Sequence, residues 1–263
     1  MTDNIDISLH NEHAWDEESR EGSEWCTPVP AEVIEKARRG EIELRLTPKR
    51  LVPSGWLTGI EGKRVLCLAS GGGQQAPVLA AAGADVISYD ISREQLHKDL
   101  HVADRDGLKL QVVKGEMSDL SPFEDGSCDI IVNAVSDIFV PDIHTVWNEC
   151  RRVLRPGGEL WSGMMNPSFF LFDHSEAIES GELKVKHALP YSDTGSLDKK
   201  ELARIIGDEV PLVWSHTLEC LLGGLTDAGF YIIGFYEDTW SDDATPLNKY
   251  TPTTFVVRAV KPT

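Results

Sequence analysis

The stretch LASGGGQQA, residues 68–76, sets Gly71, Gly72 and Gly73 between two apolar runs, and Asp90 follows 19 residues after Gly71. Glycines at such a place let a backbone approach a ligand with no side chain in between, and they permit positive φ. An acid closing the next strand is placed to accept hydrogen bonds from the hydroxyls of a bound ribose. Strand, glycine turn, helix N-terminus and acid together form a nucleotide-binding element. A slack linker does not account for a triplet locked between a strand and a helix. Other groups able to do chemistry are scattered. His97 and His101 sit one helical turn apart, and His10 and His13 lie close in sequence, but neither pair has a third ligand nearby, so no metal site is expected. Lys49 and Arg50 lie in a linker, where solvation is the ordinary role.

The elements that must position these residues alternate from residue 63 onward. KRVLCLA (63–69) reads as a strand, QQAPVLAAAGA (74–84) as a helix and DVISYD (85–90) as a strand ending on the acid. SREQLHKDLHVADRDG (92–107) begins on a Ser N-cap and ends at Gly. Then come the strand LKLQVVKGE, the loop MSDLSPFEDGS, the strand CDIIVNAV, the helix PDIHTVWNECRRVL, and RPGGELWSGMMN as a turn followed by a strand. Strands separated by helices of this length imply parallel βαβ units in a doubly wound α/β sheet, and their continuous apolar runs imply helices on both faces. HTLECLLGGLTDAGF (216–230) reads as a helix broken or tightened at Gly223 and Gly224. The last two strands, YIIGFYED and TTFVVRAV, have no helix between them and so are expected to pair antiparallel at the sheet edge.

Two segments stand outside this alternation. Residues 1–60 hold an amphipathic helix, PAEVIEKARRG, and a linker, and are expected to form an N-terminal helical lid on a domain spanning 61–263. Residues 167–213 are polar and rich in Ser, Asp and Gly, an insertion expected to lie over the ligand edge of the sheet. The chain of 263 residues carries a formal charge of −18, which weighs against a nucleic-acid partner because such affinity comes mostly from Lys and Arg on phosphates. It has no 18-residue uncharged apolar span, and the acidic N-terminus is unlike a signal peptide, so no membrane segment is expected. Five cysteines without a CxxC pair read as buried small hydrophobes in a reducing, cytoplasmic setting. Nothing in the sequence points to an oligomeric state.

Gly71, Gly73 and Ala76 fit a G-x-G-x-x-G/A dinucleotide fingerprint, which keeps an NAD-dependent oxidoreductase open. Three ordered motifs over residues 61–166 point elsewhere. The glycine loop, then GEMSDLSPFEDGSCD, then VLRPGGEL before the fifth strand resemble class I S-adenosylmethionine (SAM) dependent methyltransferases, of the broad group that includes the ubiquinone/menaquinone-type enzymes. The resemblance implies a Rossmann-like, seven-stranded, mostly parallel sheet with an antiparallel last strand, and SAM as cofactor. It implies that Ala69, Ser70, Gly71, Gly72 and Gly73 lie under the methionine part of SAM and that Asp90 binds the ribose. Glu116 and Met117 would meet the adenine, and Asn133 and Ala134 the methionyl moiety. The chain departs from the family in two places: Cys67 stands where an acid is usual, and Ala69 where a glycine is usual.

Methyl transfer from a sulfonium is an in-line displacement driven by alignment and exclusion of water, and a base is needed only when the acceptor arrives protonated. Asp137 and His216 are the candidate catalytic residues, and Trp15 and Trp56 the candidate walls of an acceptor pocket for a small molecule. Each has a bland reading: Asp137 as a loop cap, His216 as the residue before a helix capped by Thr217, the tryptophans as packing anchors. Alanine at Asp90 is expected to weaken the cofactor with little effect on folding. A non-catalytic SAM-binding protein remains the third reading.

Overall fold

Val65 to Leu68, and Val86 to Asp90 on the next strand, are buried almost completely, as uninterrupted apolar runs between two helical layers must be. The computed structural model describes residues 5–241 and 244–263. Its seven strands are β1 (Arg64–Leu68), β2 (Asp85–Asp90), β3 (Gln111–Lys114), β4 (Cys128–Asn133), β5 (Leu154–Met165), β6 (Tyr231–Asp238) and β7 (Thr254–Val260). They form one sheet in the order β3-β2-β1-β4-β5-β7-β6. The first five pair in parallel, while β7 runs antiparallel between β5 and β6, so the closing hairpin ends the sheet as its sequence implies. The chain moves outward from β1 to β3 and then returns to β4 on the other side of β1. This reversal opens a crevice at the carboxyl ends of β1 and β4, where sheets of this kind bind ligands.

Nine α-helices surround the sheet among the described residues. The N-terminal segment carries α1 (Ile7–Glu21) and α2 (Ala31–Arg38), one helix more than its apolar pattern shows. The crossovers are α3 (Gln75–Ala81), α4 (Arg93–Asp106) and α5 (Ile143–Val153). The insertion carries α6 (His174–Ser180), α7 (Asp193–Ser196) and α8 (Lys199–Gly207), and α9 (Gly224–Asp227) closes the helical part. Ser92 caps α4 by accepting from the Gln95 amide, and Gly107 ends it at φ +63°. The expected break at Gly223 and Gly224 is instead a widened π turn, Glu219–Gly223, running straight into α9. Gly224 is needed there because a Cβ would lie 3.0 Å from the His144 ring and 3.1 Å from Trp147 on α5.

One core layer packs α5 and the closing helix, through Trp147, Leu221, Leu225 and Phe230, against Leu66, Leu68, Ile131 and Leu160. The opposite layer is built on Val65, Cys67, Val132 and Trp161, covered by α3 and by Leu44, Leu46 and Val52 of the N-terminal segment. β6, at the open edge, is the exception to the buried pattern: Tyr231, Ile233 and Phe235 are each more than half exposed. All five cysteines are free, and four are buried. Among the described residues no helix is long and apolar enough to cross a membrane, and no group of metal-ligating side chains converges.

Candidate functional site

The three loop glycines are required first by the protein around them. A Cβ on Gly71 would lie 2.5 Å from Gln95 Cβ, and one on Gly73 would lie 2.9 Å from Pro28 Cβ. A Cβ on Gly72 would lie 3.0 Å from the Trp25 carbonyl. Helix α4 packs beneath the loop, and residues 24–29 cross it as a strap. The Val29 amide donates to the Gly73 carbonyl at 2.9 Å, and Gln74 Nε2 reaches the carbonyls of Glu24 and Thr27. All three glycine amides are used inside the protein. Gly71 N donates to Asp90 Oδ2 at 2.9 Å, Gly72 N to the Gln95 carbonyl at 2.9 Å and Gly73 N to Asp99 Oδ1 at 2.8 Å.

That pattern separates the two cofactor classes that share a glycine turn. A dinucleotide turn offers amides and a helix N-terminus to a pyrophosphate. Here the three amides face β2 and α4, and Glu24, Glu43, Asp90 and Glu116 line the adjoining cavity against a single guanidinium, Arg45, among the described residues. Such a lining suits a ligand carrying positive charge and repels a pyrophosphate. The cavity is about 470 Å³, within the ~300–1,000 Å³ usual for small-molecule sites. Ser70 and Gln95 are among its lining residues, though Ser70 Oγ and Gln95 Oε1 are themselves buried from it. These features fit SAM, with its sulfonium and ammonium charges, its ribose hydroxyls and its purine.

Of the residues expected to bind cofactor, Ala69, Ser70, Gly71, Asp90, Glu116, Met117 and Ala134 line this cavity together. Asp90 is 7% exposed and accepts from the amides of Gly71 and Ser92. Burial pushes its carboxyl up to about 6. The Glu116 carboxylate is held by Ser118 Oγ at 2.8 Å and by Ser8 Oγ of α1. Three members of the expected set lie behind the wall. Gly72 is turned toward the Gln95 carbonyl, Gly73 toward Asp99, and Asn133 is fully buried against Ser136 Oγ beneath the floor.

Ala69 holds a left-handed backbone, φ +44°, where the family usually has glycine. A Cβ in that region costs about 1 kcal/mol or more, while glycine loses more chain entropy on folding and here would give up the alanine methyl's contact with the core. Ala69→Gly is therefore expected to leave stability within about 1 kcal/mol of the parent in urea unfolding. A larger loss would show that the methyl contact outweighs the backbone relief.

Helix α1 roofs the cavity, and polar contacts hold it. Asp16 Oδ1 accepts from Ser92 Oγ at 2.6 Å, and Lys114 Nζ meets Glu12 at 2.5 Å. Asn11, 4% exposed, donates to the carbonyls of Phe139 and Leu212 and accepts from the Leu212 amide. Trp15, expected in the acceptor pocket, lies in the lining edge-on to Phe139 at 5.0 Å. Trp25 and Trp240, also 5.0 Å apart, close another side.

The structure corrects three expectations. Trp56 lies outside the cavity, packed on Trp161 and Tyr236 with Arg258 over its ring, and Gly234 exists to make room for it. Asp137 is 1% exposed, and its carboxylate accepts from the Met165 amide, so it ties β5 to the turn after β4 rather than facing a ligand. Burial pushes it up to about 7. His216 is buried with Nε2 3.0 Å from the carbonyls of Asp137 and Val140, and Thr217 Oγ1 accepts from the Cys220 amide, which is the capping role. The insertion differs too: none of 167–213 lines the cavity, and Val210 and Leu212 at its end hold α1 instead. The lining residues that sequence reasoning missed are Trp25, Phe139 and Trp240. None lies in a periodic pattern pointing at the site.

Residues 66–162 match a family model described as a methyltransferase domain. Over 255 residues the chain is 47% identical to the uncharacterized methyltransferase YbaJ of Bacillus subtilis, covering 97% of this chain and 98% of that one. An S-adenosylmethionine-dependent methyltransferase from Methanosarcina mazei shares the fold at TM-score 0.59 and 22% identity, over 81% of this chain and 99% of that one. So does the 1,6-didemethyltoxoflavin-N1-methyltransferase of Burkholderia thailandensis, at TM-score 0.58 and 14% identity, over 97% of this chain and 88% of that one. The full-length relative and the internally bonded glycine loop together set aside the NAD-dependent oxidoreductase. The chain belongs to the class I S-adenosylmethionine-dependent methyltransferases.

Proposed function

We propose that the protein methylates a small molecule with a planar, largely apolar body, bound under α1 beside the Trp25 and Trp240 pair. The observation that carries this reading is the lining beyond the glycine loop: Trp15, Phe139, Trp25 and Trp240, with Val135 and Ile138. Aromatic rings set edge to face give a flat ligand contact area at low entropic cost. The reading takes residues 1–60 as the lid on the domain 61–263, with the insertion 167–213 as its buttress, in a cytoplasmic enzyme.

SAM, when bound, supplies the activated methyl group. Around it the chain's own residues divide the work. Asp90 would take the ribose hydroxyls, and Met117 and Ile91 would flank the adenine with Glu116 at its amine edge. Ser70 and Gln95 would border the methionyl part, and Ala134 the transferred methyl. Alignment and exclusion of water by α1 supply the acceleration, so no single side chain need act as base.

Methyl-labelled SAM incubated with the enzyme and a cell extract tests the acceptor class. Label is expected in the organic-soluble small-molecule fraction; label confined to RNA or protein would sink the reading. Once an acceptor is in hand, Trp25→Ala and Trp240→Ala are each expected to raise its KM about tenfold, since losing an aromatic wall costs on the order of 1.4 kcal/mol. SAM affinity should hardly move; a loss confined to SAM would place both rings on the wrong ligand.

A further inference from the structure

Asp99 is fully buried in α4, outside the cavity lining, yet its carboxylate takes the Gly73 amide at 2.8 Å and the Ser88 hydroxyl at 2.5 Å. Ser88 on β2 is the register partner of Cys67 on β1. Cys67 is itself fully buried, and the Asp99 charge acts on its thiol. The side chains at 67 and 88 are small neighbours on the sheet, and the acid of α4 accepts from Ser88 and reaches the loop. One turn earlier in the same helix, the Gln95 carbonyl takes the Gly72 amide. The neighbouring carboxylate, Asp90, takes the Gly71 amide. The amides of the glycine triplet are thus held by consecutive acceptors on β2 and α4.

We propose that Asp99 is a positioning residue of the cofactor site, supplying from α4 the loop-orienting carboxylate that β1 lacks at Cys67. This rests on the glycine loop being the floor of the SAM site. A buried carboxylate is costly to keep unless donors surround it, and here the donors are the loop amide and the serine. Small residues at 67 and 88 admit it. An acid placed at 67 would occupy the same region from the strand side.

The test is SAM affinity by calorimetry on Asp99→Ala, Asp99→Asn and the double variant Cys67→Asp/Asp99→Ala, with amide exchange at Gly73 in the ligand-free protein. D99A is expected to lose about tenfold or more in affinity, and D99N, which keeps an acceptor for Gly73, to stay within about threefold of the parent. The double variant should return to within about threefold. Gly73 exchange should quicken about tenfold or more in D99A and return in the double variant. A folded D99A that binds SAM within threefold of the parent overturns the proposal, as do equal losses in D99A and D99N. Should D99A fail to fold, the double variant decides: folding with SAM binding supports the relocation, and failure of either overturns it. A parent chain that does not bind SAM would count against the site reading, while the exchange measurement still reads the loop.

Discussion

Alanine at Gly71 is expected to lower SAM affinity about 100-fold or more while leaving the protein folded. The new Cβ would lie 2.5 Å from Gln95 Cβ, 3.0 Å from the Gln95 carbonyl carbon and 3.1 Å from Asp90 Oδ2. None of these is the free end of a flexible side chain on α4. Either the loop lifts off the helix or α4 moves away, and overpacking of this kind costs about 1–3 kcal/mol. Lifting the loop also withdraws the Gly71 amide from Asp90, so the loop's shape and the ribose-binding acid are disturbed together. Calorimetry with SAM reads the affinity and urea unfolding the stability. Gly55→Ala, where nothing lies within 4 Å and φ is ordinary, serves as the control and should change neither. Binding by Gly71→Ala within threefold of the parent would show that the loop is not the floor of the site.

Asp90→Asn should weaken SAM about 10–100-fold at pH 7.5, the usual worth of a hydrogen bond to a charged acceptor. Asparagine is the appropriate replacement because the carboxylate does two jobs. Its oxygens accept from the amides of Gly71 and Ser92, so alanine would leave buried donors unpaired and cost stability as well as affinity. The expectation of little effect on folding is thereby corrected. The pH dependence follows from burial. The Asp90 carboxyl is raised to about 6 from 3.8, so its protonated form is favoured in the ligand-free fold. A raised acid contributes stability that is fully present below its unfolded value and is lost as pH rises through the folded one. Ligand-free stability from this group therefore falls as pH climbs through 6. SAM acts the other way, because ribose hydroxyls donate to the ionised form. The stabilisation conferred by saturating SAM should grow from pH 5 to pH 7.5, and the part centred near pH 6 should vanish in Asp90→Asn. Asp137, raised by burial to about 7, titrates in parent and variant alike, whereas Asp99, also raised to about 7, feels the Asp90 charge, so the difference between the two proteins reports Asp90 together with its coupling to Asp99. Identical pH profiles for parent and variant would remove Asp90 from the ligand.

Much of the frame was legible without coordinates. The runs at 64–68, 85–90 and 128–133 and the helices between them follow from local apolar pattern and capping, both of which act over a few residues. Asp90 and the glycine turn were legible as a pair for the same reason: the loop and the strand end they join are separated by a single helix. Helix α1 was legible only as a lid edge, at Asn11 and Trp15 one helical turn apart, because most of what it buries is polar or small. Asn11, Ala14 and Ser19 face the protein, and hydrogen bonds to Leu212 and Phe139 hold it, leaving no apolar stripe for periodicity to detect. Trp56 misled for the opposite reason. A tryptophan in a polar linker resembles a ligand contact until Trp161, Tyr236 and Gly234 are brought beneath it by the sheet.

The sequence by itself determined the doubly wound sheet and the position of the crevice, because each depends on the order of short local patterns, and through the resemblance of three motifs it pointed to SAM while leaving NAD open. Tertiary structure alone decided which acid holds which amide, that Trp25 meets Trp240, and that the glycines make room for α4 and the strap at residues 24–29. Those contacts join segments far apart in the chain, and their geometry is set by how the packed layers seat against one another. Cys67 shows the division within one residue. The sequence marks the place where an acid is missing, and only the folded chain shows Asp99 beside it.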